Sequence, residues 1–209
     1  MTDSYDAIII GAGVIGACTA YEMAKKGWKT LNIDRNPSAG YGSNSASCAI
    51  IRTYYSVIDT CALAYEGWFY WKDWATYIGE PDPRGMITYH DVGCMVTKTT
   101  QNGEMASVLT MMDQIGCPYE HLNPDNMKAR LPFMDTRLFG PAKAPDDPDF
   151  GEPTGAQVIG GVFFPRGGPM IACRASRWVM ADRLMRRWSS MSLDRIPPES
   201  IRWRACSTV

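Results

Sequence analysis

The chain has 209 residues, 45% hydrophobic and 21% charged, enough to bury the core of one large domain or two small ones. Its formal net charge of -1 gives no bulk attraction to nucleic acid or an acidic membrane, and no apolar stretch reaches the roughly 18 residues of a spanning helix. The opening MTDSYDAIII carries acids where an export signal would be basic, and the seven cysteines form no C-x-x-C pair, so a reduced, cytoplasmic protein is expected. Only His90 and His121 offer imidazole, and they lie far apart in sequence, so no metal site is expected.

Ala7 to Ile10 reads as a strand buried on both faces, as in a parallel sheet. Gly11, Gly13 and Gly16 come next as G-x-G-x-x-G. The first glycine permits a tight turn, the second a close backbone approach to a pyrophosphate, and the third close packing of helix on strand. The spacing predicts a helix from about Val14 to Lys26, with Gly27 ending it. The N–H groups at its start, with Val14 and Ile15 in the first turn, face the phosphates. Thr30 to Ile33 reads as the second strand, and Asp34 lies 18 residues beyond Gly16, near the spacing of a ribose-binding acid. A carboxylate there disfavours a 2′-phosphate, and hence NADP, although Arg35 beside it weakens that point.

Beyond the acid, chains that bind NAD and chains that bind FAD diverge. RNPSAGYGSNSASCAIIRTYYS, Arg35 to Ser56, holds two glycines and five serines where an NAD unit would proceed to a plain helix and strand. Small hydroxylated residues suit a loop lying against phosphate and a flat ring, and equally a solvated loop. The nucleotide segment is taken to run over residues 1–79. Within it, Ala62 to Ile78 reads as a helix, with Leu63, Trp71, Trp74 and Ile78 on one face as core. The breaker EPDPRG, Glu80 to Gly85, starts a second domain over residues 80–168. Met86 to Thr97 reads as one or two strands. Met105, Val108, Leu109, Met112 and Ile115 mark a helix closed by Gly116. Lys143 to Gly155 is a loop, and Gln157 to Phe164 a strand.

With these motifs the chain resembles the FAD-dependent amine and amino-acid oxidoreductases of the D-amino-acid-oxidase type, within them the sarcosine oxidase and dimethylglycine dehydrogenase group. The resemblance rests on GAGVIG at Gly11–Gly16, the pair Asp34–Arg35, and GSNSASCAIIR from Gly42 to Arg52. It continues through LAYEGWFYWKDWATYIG, ITYHDVGCMVTKT and LNPDNMKARLPFMD to GAQVIGGVFFPRGG, about residue 168. It implies an α/β fold: a Rossmann-like FAD-binding domain with the start of an α+β substrate domain, incomplete. It implies that Gly11, Gly13 and Gly16 hold the pyrophosphate and Asp34 the adenosine ribose. Arg35, Ser43, Asn44 and Ile51 lie along the cofactor, and Arg52 pairs with the substrate carboxylate. Arginine suits that task because its fork is always charged and matches a carboxylate bidentately.

Two departures accompany the resemblance. Ala46 stands where some members carry a histidine linked to flavin, so FAD is expected to be non-covalent. Ala49 stands where sarcosine oxidases carry a basic residue before Ile-Ile-Arg, which leaves the amine open. The implied reaction is oxidation of a secondary or tertiary amine of an amino acid, with hydride passing from the carbon next to nitrogen to flavin. Two other readings stand beside it: a non-catalytic nucleotide-binding fragment or interaction module, and an NAD-dependent dehydrogenase.

Residues 169–209 change character. All 19 glycines lie at or before Gly168, whereas eight arginines, Arg174 to Arg204, and Trp178, Trp188 and Trp203 fall beyond it. This aberrant Arg/Trp-rich tail reads as out-of-frame translation, as a basic amphipathic helix over Ala175–Met191, or as a divergent ordinary helix. By the resemblance, further neighbours of the first strand come from sequence beyond Gly168, so the chain as it stands is expected to be a truncated, poorly soluble protein and a poor enzyme. Oligomeric state is not legible in the sequence.

Overall fold

The computed structural model describes residues 4–79 and 86–171. The Glu80–Gly85 boundary, the Ala175–Met191 helix and the tail beyond 171 lie outside the described residues. In chain order the elements are β1 (Ala7–Ile10), α1 (Val14–Lys25), β2 (Thr30–Ile33), β3 (Ile50–Ile51), α2 (Ile58–Lys72) and α3 (Trp74–Ile78). They continue with β4 (Thr88–Tyr89), β5 (Cys94–Lys98), α4 (Ala106–Ile115), β6 (Glu120–Leu122), α5 (Pro124–Arg130), β7 (Gly160–Phe164) and β8 (Gly168–Ile171). The chain forms two compact units. The first takes the described residues of Met1–Ile50, Asp73–Tyr89 and Pro169–Val209; the second takes Ile51–Lys72 and His90–Gly168.

The first unit begins as a β-α-β. Strands β1 and β2 pair in parallel, Ala7 opposite Thr30 through Ile10 opposite Ile33, and α1 makes the crossover. Gly11 turns the chain out of β1 at φ +110°, a conformation that side chains rarely adopt, and its N–H donates to the Ile33 carbonyl at 2.7 Å. A Cβ at Gly16 would run into the Gly11 carbonyl oxygen, so the helix rides on the turn that precedes it. Helix α3 is fastened to α1 by the Tyr21 hydroxyl, which donates to the carbonyls of Tyr77 at 2.9 Å and Ile78 at 3.0 Å. Strand β4 pairs antiparallel with β8, Thr88 opposite Ile171, and β3 flanks β8 on its other side.

The second unit is built on the antiparallel sheet β5-β7-β6, with Cys94 opposite Phe164 and His121 opposite Val162. Helices α2 and α4 supply its core: Cys61, Leu109 and Met112 bury against Val162 and Phe164. Burying one such large side chain stabilises by roughly 1.5–3 kcal/mol, which makes this cluster the main anchor of the unit. Helix α5 starts on a side-chain cap, the Asn123 Oδ1 accepting from the Asn126 N–H at 2.8 Å, with Pro124 in its first turn. Its Met127 is fully buried.

Three expectations are corrected. Strand β1 is covered on one face, not two: Ile8 and Ile10 are 63% and 85% exposed, while β2 and α1 make its main packing among the described residues. The helix expected over Ala62–Ile78 is two helices. It begins four residues earlier and breaks at Asp73, whose φ of -116° and ψ of 48° are not helical. Of the face expected as core, Trp74 and Ile78 are buried and Trp71 is half-buried, but Leu63 is 74% exposed, and Cys61 and Trp68 are the buried residues of α2. The strand expected from Gln157 starts at Gly160; Gln157 makes an isolated bridge to Arg137.

Candidate functional site

Two sets of residues carry chemistry, one in each unit. In the first, three side chains grip the glycine turn. Asp34 closes β2, and its Oδ2 accepts the Ala12 N–H at 2.7 Å while its Oδ1 accepts the Asn36 N–H at 2.8 Å. Asn32 points inward from β2 and donates to the Gly16 carbonyl at 3.3 Å. Asn44 stands on a short 3-10 turn, Ser43–Ala46, and its Oδ1 accepts the Val14 N–H at 3.2 Å. The Gly40 N–H adds a bond to the Ala12 carbonyl at 2.8 Å. The N-cap of α1 is Gly13, which has no side chain to offer, so Asn44 supplies the cap from 30 residues away.

Burial raises the Asp34 carboxyl, and the Ala12 and Asn36 hydrogen bonds together with the Arg35 charge outweigh it, holding the group below its ordinary value. Asp34 is therefore ionised at neutral pH. Its carboxylate retains acceptor capacity beyond these two bonds, since two oxygens offer about four lone-pair sites. The turn suits a phosphate-bearing ligand: Gly11 and Gly13 carry no side chain to screen its backbone, and the start of α1 presents N–H donors. These residues fit a dinucleotide. Ile15 is 81% exposed in the first turn of α1, and Arg35 and Ser43 are exposed beside the seat.

Arg52 belongs to the second unit, with Ile51 before it. Its guanidinium lies 4.5 Å from the Tyr55 ring centre and 5.5 Å from that of Tyr54. Contact with the Tyr55 hydroxyl raises it further above its usual range. Among the described residues no carboxylate pairs with Arg52, although five other cations have acidic partners. Tyr54 stacks on Phe164 with ring centres 4.6 Å apart, and its hydroxyl meets the Cys94 Sγ at 3.4 Å. Burial is the main cause that pushes Tyr54 up to about 12, so it is a neutral phenol at physiological pH. The arrangement can hold a carboxylate on a guanidinium backed by two aromatic faces.

The sequence spacing located Gly11, Gly13, Val14, Gly16 and Asp34, and the resemblance added Asn44; the first unit brings these six together. The hydrogen bonds by which Asp34, Asn32 and Asn44 grip the turn were not legible. The signal available for Asn32 was an amide between Leu31 and Ile33, at the position facing Gly16. Among the described residues no group of three or more His, Cys, Asp or Glu is placed to hold a metal, and no helix is long and apolar enough to cross a membrane.

The chain and its fold are similar to those of known proteins. The chain is 27% identical over 133 residues to the peroxisomal sarcosine oxidase of Mus musculus, a match covering 63% of this chain and 32% of that one. Its fold superposes on L-proline dehydrogenase from P. horikoshii with a TM-score of 0.67 at 15% identity, over 91% of this chain and 43% of that one. It superposes on glycine oxidase from Geobacillus kaustophilus with a TM-score of 0.64 at 20% identity, over 91% and 46%. The chain thus spans about a third of the mouse relative and under half of either solved structure. The family model of FAD-dependent oxidoreductases, the DAO family, matches residues 6–187, most of the chain. On the β-α-β seat, the fold and that match, this chain belongs to the FAD-dependent oxidoreductase family.

Proposed function

We propose that the protein oxidises a secondary or tertiary amine of an amino acid, of the N-methylglycine or N,N-dimethylglycine kind. FAD, when bound, supplies the two-electron acceptor for the carbon–hydrogen bond next to the amine nitrogen. Gly11, Gly13, Val14, Ile15 and Gly16 would hold its pyrophosphate and Asp34 the adenosine ribose, with Arg35, Ser43, Asn44 and Ile51 contributing to the cofactor site. Arg52 binds the substrate carboxylate through charge-assisted hydrogen bonds and so orients the amine. The observation that carries this reading is Arg52 itself: a guanidinium stacked on Tyr54 and Tyr55 with no acidic partner among the described residues.

Ala46 supports non-covalent FAD, since an alanine offers no atom to link. Five unpaired thiols among the described residues, Cys18, Cys48, Cys61, Cys94 and Cys117, support residence in a reducing compartment such as the cytoplasm.

The test is a flavin absorbance titration of the FAD-loaded chain with N-methylglycine and, in parallel, with dimethylamine, which lacks the carboxylate. N-methylglycine should perturb the spectrum and dimethylamine should not. Equal responses to both would remove Arg52 from the proposed role. Acid precipitation should release the yellow colour into solution; colour retained in the pellet would overturn the non-covalent assignment.

A further inference from the structure

We propose that Asp91 is a positioning residue for Arg52, acting through the turn between β7 and β8 and through Trp68; this rests on the reading of Arg52 as the carboxylate anchor. The Asp91 Oδ1 accepts two hydrogen bonds, from the Trp68 indole Nε1–H at 3.1 Å and from the Gly167 N–H at 3.3 Å. One carboxylate oxygen thus ties α2 to the turn after β7. The same turn is held from the other side. The Gly93 N–H donates to the Gly167 carbonyl at 2.8 Å, and a Cβ at Gly168 would run into the His90 carbonyl oxygen.

The turn in turn holds the backbone of Arg52. The hydroxyl of Thr53, fully buried, donates to the Arg166 carbonyl at 3.3 Å. A Cβ at Gly167 would lie 3.1 Å from the Ile51 carbonyl oxygen and 3.9 Å from the Arg52 Cα, so the two stretches pass at backbone contact. The side chain of Arg166 completes the brace: its guanidinium lies 4.9 Å from the Trp68 ring centre and 5.1 Å from that of Tyr65. Lys72 lies 4.6 Å from the same Trp68 ring and 3.9 Å from the Asp91 carboxylate. Trp68 therefore gives its N–H to Asp91 and its ring to two cations, and is itself buried.

Arg52 is exposed, and among the described residues Tyr54 and Tyr55, through their rings and hydroxyls, are what fix its side chain. Where its guanidinium sits depends on where its backbone is held, and that backbone is held by the turn Asp91 fixes. A site for a carboxylate loses binding when its anchor is displaced by a fraction of an ångström, because bidentate pairing has narrow geometry.

The experiment uses the full chain loaded with FAD and measures the dissociation constant for N-methylglycine by calorimetry, beside the melting temperature and the FAD dissociation constant. Asp91→Ala should weaken N-methylglycine at least tenfold while leaving FAD within twofold. Asp91→Asn, which keeps an acceptor oxygen, should stay within threefold of the parent. Trp68→Phe keeps an aromatic ring and loses the donor; it should weaken the ligand threefold or more, and it carries the test if Asp91→Ala does not fold. The Trp68 indole N–H resonance should move in Asp91→Ala and much less in Asp91→Asn. Asp91→Ala (or Trp68→Phe, if that variant does not fold) with a lower melting temperature and an unchanged N-methylglycine constant, beside an Arg52→Ala variant that has lost the ligand, would overturn the positioning role alone. An Arg52→Ala variant that binds N-methylglycine as the parent does would overturn the Arg52 reading and this inference with it.

Discussion

The nucleotide seat and the Arg52 cluster are assembled in opposite ways. The seat comes from one stretch, residues 7 to 44, in which strand, turn, helix, strand and loop succeed one another and nearly every contact is made within about 30 residues. The setting of Arg52 is gathered from stretches far apart: Thr53 reaches Arg166, Trp68 reaches Asp91, and Cys94 faces Phe164 across the sheet. A seat made locally writes itself into spacing, and an anchor made at long range does not. Substitutions at four positions can separate the two assemblies or tie them together.

Gly16→Ala should act hardest. Its Cβ would meet the Gly11 carbonyl oxygen, a backbone atom with little room to move, and overpacking of this kind costs up to about 3 kcal/mol. Binding of ADP, measured by calorimetry, should be lost. Hydrogen exchange at Cys94–Lys98 and Gly160–Phe164 should be unaltered; protection lost there in step with the seat would mean that the two assemblies do not stand independently.

Arg52→Ala should come next. A hydrogen bond to a charged group contributes roughly 1.5–3 kcal/mol, and exposure places Arg52 near the lower end, so about 2 kcal/mol of carboxylate binding should go, around thirtyfold. ADP affinity should be untouched. Arg52→Lys should recover only part, since an ammonium cannot make the planar fork.

Asp34 supplies a test in pH. Its folded value lies below the ordinary one of about 4, so its stabilisation is present above the unfolded value and lost as pH falls through the folded one. Acid titration of the parent chain should show this loss below about pH 4, and Asp34→Asn should flatten it. The amide keeps one acceptor for the Ala12 N–H, so at neutral pH the variant should lose only about 1 kcal/mol. A parent and variant with superimposable acid profiles would show that Asp34 does not brace the turn.

Asn44→Ala should be mildest, about 0.5–1 kcal/mol, the worth of a helix cap. The loss should shrink when ADP is bound, because phosphate then satisfies the same N–H; a loss equal with and without ADP would separate Asn44 from the seat.

Legibility in the sequence runs along the same divide. The bounds of β1 and β2 and the start of α1 could be read directly, since an apolar strand, a glycine turn and an acid 18 residues on admit few alternatives. Helix α4 was legible from its apolar period and from Gly116, which ends it in the left-handed region. The break at Asp73 was not, because Trp71 and Trp74 continue a helical pattern and no glycine or proline marks the stop. Nor was the role of Asp91: an aspartate in a turn is ordinarily solvated, and only its placement against Trp68 and Gly167 singles it out. Arg52 stood out by resemblance alone, and its tyrosine setting needed the fold.

The bare face of β1 has a consequence for handling the protein. Ile8 and Ile10 put two branched side chains in water on a strand whose described neighbours leave one edge open. Pairing of two copies along such an edge grows with the square of concentration and is promoted by sulfate and phosphate, which are excluded from protein surface. A dilute preparation in a chloride buffer and a concentrated one in ammonium sulfate should therefore differ in association state far more than their equal net charge implies, with the strand that starts the nucleotide seat setting the ceiling.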